Sequence, residues 1–169
     1  LNNLNIFYKK KILIYGLGKS GLSVLKFLKK NNEITTYDDK TKTDSKKITK
    51  IKFDYIIISP GIDINKCNLS NLLKNNLRKI YTDLDIFYSN HKENKKITIT
   101  GTNGKSTAAK ILYDILKDQK ADVRLVGNIG NPILLEKKVT NRTVFVIEAS
   151  SYQLEYSKLF KSNISVILN

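Results

Sequence analysis

Apolar and polar positions fall into two blocks that open alike, with an aliphatic run, a glycine turn and then a run of helical spacing. In the first block, KILIYG (11–16) is a short β-branched stretch ending in glycine, the pattern of a buried strand. SGLSVLKFLKK (20–30) follows, with Leu22, Leu25, Phe27 and Leu28 suited to one face of a helix. EITTYDD (33–39) predicts a second strand ending in two carboxylates, and residues 40–52 a lysine-rich loop with a weak helical turn. FDYIIISPGI (53–62) predicts a third strand, closed by the turn residues Ser59, Pro60 and Gly61. A short helical pattern covers 70–76, and KIYTD (79–83) is a further strand candidate.

The polar stretch SNHKENKK (89–96) predicts a linker, after which the pattern restarts. KITIT (96–100) predicts a strand, 106–117 a helix and 123–126 a short strand leading into the turn GNIGNP (127–132). TVFVIEASS (143–151) is a strong strand pattern, and after YQLEYSKLF the chain closes on another, ISVILN (164–169). Strands alternating with helices predict the α/β class, with parallel sheets and right-handed crossovers. A boundary near 90–94 separates two units, 1–90 and 91–169. A buried strand with nothing after it, in a chain with no methionine, is the pattern expected of a piece of a longer polypeptide.

Composition narrows the function classes. The hydrophobic fraction of 41% and mean hydropathy of −0.29 are those of an ordinary soluble globular protein. No apolar run is long enough to span a membrane, and the first residues lead into a glycine turn rather than a cleavage site. Cys67 is the single cysteine, which excludes an internal disulfide framework and a cysteine zinc cluster and makes the cytoplasm the expected compartment. The net charge of +15 raises nucleic-acid binding. However, only Arg78, Arg124 and Arg142 among the 30 basic residues are arginines, and the lysines are scattered among many Asn and Ile residues. That is a coding bias rather than a binding face, so neither nucleic acid nor membrane is expected as a partner. The charge does favour polyanionic small molecules. His91 lies in the linker and reads as solvated; Cys67 has no companion and reads as structural.

Three motifs carry chemistry. In ITITGTNGKSTAAKIL (97–112) a strand runs through a glycine turn into a helix. Backbone N–H groups and the helix N-terminus can converge there on a phosphate, with Lys105 reaching the β- and γ-phosphates and the Ser106 or Thr107 hydroxyl on Mg²⁺. The general phosphate-loop pattern would need a glycine where Ile99 stands, so this loop is a shorter one, GTNGKST. In VFVIEASSYQLE (144–155), Glu148 ends a strand of the same unit, where ligand sites of open α/β sheets gather, and is placed to hold Mg²⁺ directly or through water. In GLGKSGLS (16–23), Gly16, Gly18 and Gly21 fit G-x-G-x-x-G, with Asp38 and Asp39 about twenty residues further on, as in NAD enzymes. The same turn serves any pyrophosphate, that of a UDP-sugar included. The SPGI and GNIGNP turns border these sites, the latter offering the Asn128 amide.

In this order, GLGKSGLS, SPGI, GTNGKST, GNIG and IEASSYQLE resemble the Mur ligases over essentially the whole chain, and among them the branch that adds D-glutamate. GTNGKST alone would suit folylpolyglutamate synthetases equally. The resemblance implies a Rossmann-like domain (1–90) for the UDP part of UDP-N-acetylmuramoyl-L-alanine, then an incomplete P-loop ATPase domain (91–169), with a C-terminal domain absent. It implies that ATP phosphorylates the substrate's terminal carboxylate, and that the amine of D-glutamate displaces phosphate from the acyl phosphate in peptidoglycan synthesis. Position by position, it implies that Lys19, Ser20, Asp38, Asp39 and Gly61 line the uridine-diphosphate site. Gly101, Thr102, Asn103, Gly104, Lys105, Ser106 and Thr107 would bind ATP; Ser106, Thr107 and Glu148 would hold Mg²⁺. Lys105 and Glu148 would be the catalytic pair, while Asn128, Ser150 and Gln153 would face the substrate near its reacting carboxylate.

A monomer is expected. The family continues with a metal-binding histidine, a modified lysine and a third domain, so this chain is expected to bind nucleotide without catalysing ligation. Lys19 stands where many relatives carry an uncharged residue. The competing readings are a sister Mur enzyme, a folylpolyglutamate synthetase, a non-ligase nucleotide module such as an NAD enzyme, and a charge-driven nucleic-acid binder.

Overall fold

The aliphatic runs become two four-stranded parallel sheets in the computed structural model, which describes residues 6–41 and 44–169. The first sheet has the order β2-β1-β3-β4, with β1 at Lys11–Tyr15, β2 at Glu33–Tyr37, β3 at Tyr55–Ile58 and β4 at Ile80–Tyr81. Its connections carry α1 (Lys19–Leu28), α2 (Ser45–Thr49) and α3 (Ser70–Asn75). The second sheet has the order β6-β7-β5-β8, from β5 (Lys95–Gly101), β6 (Val123–Gly127), β7 (Val144–Glu148) and β8 (Ile164–Leu168). The long helix α5 (Lys105–Asp118) follows β5, and α6 (Ser151–Tyr156) follows β7. The α/β class with parallel sheets is as the alternation predicts.

Strand period two sorts the core. Ile12, Ile14 and Ile57 face α1 through Val24 and Leu28, whereas Leu13, Tyr15, Ile56 and Ile58 face Ile48, Leu69 and Leu73 on the other side. The first of these clusters does not stop at the sheet: it runs on through Leu84 and Phe87 to Val126, Leu134, Phe145 and Ile147. One apolar core therefore joins both sheets. The far face of the second sheet packs Ile99 and Val146 against Ala109 and Leu112 of α5.

Two expectations about the region between the sheets need correction. The strand pattern at 79–83 yields only the two residues of β4, because Thr82 leaves the sheet to cap a helix, α4 (Asp83–Asn90). Thr82 and Asp85 form a reciprocal capping box there, with the Thr82 N–H donating to Asp85 Oδ2 at 2.9 Å. The segment 89–96 is not a loose linker either. Asn94 is buried and its amide donates to the carbonyls of Thr140 (2.8 Å) and Thr143 (3.0 Å). Lys96 is buried too, its ammonium donating to the carbonyls of His91 (2.8 Å), Lys92 (2.9 Å) and Asn94. Burial pulls the Lys96 pKa down from its ordinary value. Likewise His91 is half-buried rather than solvated, its ring 4.9 Å from that of Phe87 and 5.6 Å from that of Phe145, and burial lowers its pKa. Cys67 is half-buried with its thiol on the Ile64 carbonyl, in keeping with a structural part. Among the described residues no helix is long and apolar enough to cross a membrane.

Candidate functional site

Parallel strands bring their C-terminal ends to one edge, and both glycine turns leave from such edges. In the first sheet Tyr15 is in register with Tyr37 and Ile58, so Gly16, Asp38 and Ser59 become neighbours. Gly21 lets α1 approach the turn: a Cβ there would lie 1.8 Å from the Gly16 carbonyl oxygen. Ser59 Oγ donates to that same carbonyl at 2.7 Å. Asp38 accepts the N–H of Leu17 through Oδ2 (2.6 Å) and that of Lys40 through Oδ1 (2.9 Å). The Leu17 N–H, first among these, holds the Asp38 carboxyl below its ordinary pKa. Asp39 accepts the Tyr15 hydroxyl at 2.5 Å, and burial of that hydroxyl, reinforced by Asp39, raises its pKa.

Gly16, Asp38, Asp39 and Ser59 line a cleft of about 430 Å³. Lys19, Ser20, Asp38, Asp39 and Gly61 all border it, and so does Asn128 from the second sheet, beside Gly127 and Gly130. Six of the eight residues that the resemblance assigns to the substrate thus share one cleft. Asp38 also shapes the turn, because both of its oxygens carry backbone N–H groups. Lys40, which the motifs did not single out, lines the cleft as well, beside Ser59 of the SPGI turn.

The other two of the eight sit elsewhere. Ser150 caps α6, its hydroxyl accepting the Gln153 N–H at 3.2 Å. Gln153 is buried rather than turned to the cleft: its Oε1 accepts the Ser150 N–H at 3.0 Å and its Nε2 donates to Asp83 Oδ1 at 3.0 Å. Both ends of this amide are therefore held within the fold.

Asp83 is the residue that sequence reasoning missed. It opens α4, is buried, accepts the Gln153 amide, and faces Ser20 of the first glycine motif. Burial raises its pKa above the ordinary 3.8, with both neighbours opposing the rise. The sign follows directly: the unfolded chain ionises first, so the burial penalty grows as pH climbs from 3.8 to the folded pKa and is complete above it. Asp83→Asn, which removes the ionisation, should therefore gain stability relative to the parent on going from pH 4 to pH 7; parallel pH–stability curves for the two proteins would refute this.

In the second sheet, register aligns Ile99 with Glu148 and Glu148 with Gly127. β5 continues into the turn 101–104, and Gly104, with φ of +78°, is the left-handed N-cap of α5. Thr102, Asn103, Ser106 and Thr107 are exposed along this turn and the first turn of α5. Lys105 folds back so that Nζ donates to the carbonyls of Gly101 (2.7 Å) and Thr102 (2.9 Å). Ser106 Oγ donates to Glu148 Oε2 at 2.9 Å, bringing together the hydroxyl and the carboxylate assigned to the metal. Glu148 is only 5% exposed, so its second oxygen faces a confined space. Nearby at the end of β5, Thr100 Oγ1 is buried with no hydrogen-bond partner. Among the described residues no three His, Cys, Asp or Glu side chains converge. An ion at Glu148 would thus take further oxygens from phosphate and water, the habit of Mg²⁺, and the residues present fit such an ion.

Comparison with known proteins agrees with this arrangement. Residues 99–169 match the model for the Mur ligase middle domain. The UDP-N-acetylmuramoylalanine--D-glutamate ligase of Rickettsia bellii is 34% identical over 98% of this chain and 39% of its own length. That of Buchnera aphidicola is 38% identical over 96% of this chain and 40% of its own length. The chain thus spans about two-fifths of the length of these relatives. A solved structure, the UDP-N-acetylmuramate:L-alanyl-gamma-D-glutamyl-meso-diaminopimelate ligase from Neisseria meningitides, overlays 83% of this chain and 52% of its own at 15% identity and a TM-score of 0.47. From its first glycine turn to its last strand this chain is similar to the Mur ligases, and its residues 99–169 match their middle domain.

Proposed function

We propose that the chain supplies the UDP-binding and ATP-binding parts of a cytoplasmic ligase that adds D-glutamate to UDP-N-acetylmuramoyl-L-alanine. The observation that carries the reading is the pairing of Ser106 Oγ with Glu148 at 2.9 Å beside the GTNGKST turn. The relatives' shared name supports the substrates, and the cleft supports the uridine-diphosphate site. Residues 1–90 hold the nucleotide-sugar and residues 91–169 the ATP.

In this reading the first cleft fixes the substrate's diphosphate against the turn at 16–21, with Lys19 and Lys40 adding positive charge. The amides of 101–107 and the Lys105 ammonium hold the triphosphate, Lys105 leaving its own loop carbonyls to do so. Ser106 and Glu148 would hold Mg²⁺, which would supply positive charge to offset the repulsion of the two reacting anions. A carboxylate oxygen of the terminal alanine attacks the γ-phosphorus as the bond to the ADP oxygen breaks. The amine of D-glutamate then attacks the acyl carbon; inorganic phosphate leaves and the nitrogen loses a proton. Asn128, on the cleft wall and with its N–H donating to the Glu148 carbonyl at 3.0 Å, is the residue that adjoins both sites.

Titration of the chain with Mg-ATP and, separately, with UDP tests the reading, which fails if neither binds. Glu148→Gln keeps the shape but removes the charge. The parent should gain about tenfold in ATP affinity when Mg²⁺ is added, the worth of one charged contact, and the variant should gain nothing. A variant that keeps the parent's Mg²⁺ gain would remove Glu148 from the metal site.

A further inference from the structure

The two ligand sites lie on different sheets, yet the reaction proposed above requires their contents to meet within bonding distance. Something must register one wall against the other. The walls are joined by a run of buried polar contacts. Ser20, in the GLGKSGLS motif and bordering the cleft, faces the Asp83 carboxyl closely enough to favour its ionised form. Asp83 Oδ1 accepts Gln153 Nε2 at 3.0 Å, and Gln153 Oε1 accepts the Ser150 N–H at 3.0 Å. Ser150 begins α6 two residues after Glu148. Asp83 is 3% exposed and Gln153 1%. Water cannot substitute for either partner, so the geometry is set by the side chains alone.

We propose that Asp83 is a positioning residue, which fixes the first glycine turn to the start of α6 and so sets the nucleotide-sugar site in register with the phosphate-loop site. It touches neither ligand and acts through Ser20 on one side and through Gln153 on the other. The proposal rests on the reading of the two sites given above, but its mechanical content can be tested without any ligand.

The first arm is hydrogen exchange of the amides of residues 17–21 in the whole chain. Gln153→Leu removes the far end of the relay and leaves the glycine turn untouched. Exchange in the turn should quicken about tenfold, the effect of one lost buried contact, and Asp83→Ala should give the same increase. Asp83→Asn, which can still accept from Gln153 and face Ser20, should keep the parent's rates. Should Asp83→Ala fail to fold, Gln153→Leu and Asp83→Asn still decide the matter. Unchanged exchange in Gln153→Leu overturns the proposal, and so does slow exchange at the turn in Asp83→Ala.

The second arm is the affinity for UDP and for Mg-ATP. Asp83→Ala should weaken UDP about tenfold while Mg-ATP stays within a factor of two, and Asp83→Asn should restore UDP binding. Equal losses for both ligands would mean a general structural role and overturn the proposal. If the parent binds neither ligand, the functional reading falls, and the exchange arm alone decides whether the relay holds the turn.

Discussion

Lys105→Ala is expected to bind Mg-ATP between about 10- and 100-fold more weakly than the parent. A hydrogen bond from a charged group is worth about 1.5–3 kcal/mol, and each 1.4 kcal/mol is a factor of ten. Nothing else at the turn can replace it. The exposed loop offers backbone N–H groups, but Lys105 alone brings a full positive charge to the turn at 101–107. Lys105→Arg should recover only part of the loss, because a planar fork on a different stem cannot occupy the point position of an ammonium. Stability should change little, since the Lys105 ammonium rests on two carbonyls of its own loop. Titration calorimetry with Mg-ATP decides the matter: a Lys105→Ala protein within a factor of two of the parent would end the assignment of this turn to a triphosphate.

Asp85→Ala should produce the largest stability loss of any single polar substitution in the chain, about 3–5 kcal/mol. Asp85 is fully buried. Its Oδ1 accepts Ser157 Oγ (2.8 Å) and the N–H groups of Lys158 (2.8 Å), Leu159 (2.7 Å) and Phe160 (3.2 Å). Its Oδ2 accepts the Thr82 N–H at 2.9 Å and the Thr82 hydroxyl at 3.4 Å. Truncation leaves these donors facing a void from which water is largely excluded. Asp85→Asn keeps one oxygen but turns an amide donor toward other donors, so it should lose about half as much. Denaturant unfolding followed by circular dichroism measures both. An Asp85→Ala midpoint equivalent to less than about 1 kcal/mol would show that segment 157–160 finds its place without the carboxylate.

Strands β1, β3 and β7 were legible because each is a buried aliphatic run, as in KILIY before Gly16 or VFVIE before Ala149, whereas β8 reads as a buried run in ISVIL and is largely exposed. The glycine turns were legible because phosphate recognition leaves few ways to arrange glycine and lysine between a strand and a helix. Helix α4 was not. Its apolar residues Leu84, Ile86 and Phe87 are all buried and do not mark a single stripe, so the helical period is blurred. The only local sign was the pairing of Thr82 with an acid three residues on, and its aspartates gave no hint that they face inward.

Composition misled at 89–96 for a related reason. Asn94 and Lys96 look like linker residues, but Asn94 meets carbonyls 46 and 49 positions away. The contact of Gln153 was hidden in the same way, since its partner Asp83 lies 70 positions earlier. Motif position suggests which loop a residue occupies. It does not say what the fold places across from it.

The apolar cluster shared by both sheets has a mechanical consequence. Leu84 and Phe87 belong to the helix that leads into β5, and they pack with Val126, Phe145 and Ile147 on the other sheet. Prising the halves apart would expose that interior to water, so the cleft cannot widen as a hinged jaw does. Ligand-driven movement within the described residues therefore has to come from turns and side chains, with the pair of sheets serving as a fixed anvil beneath them.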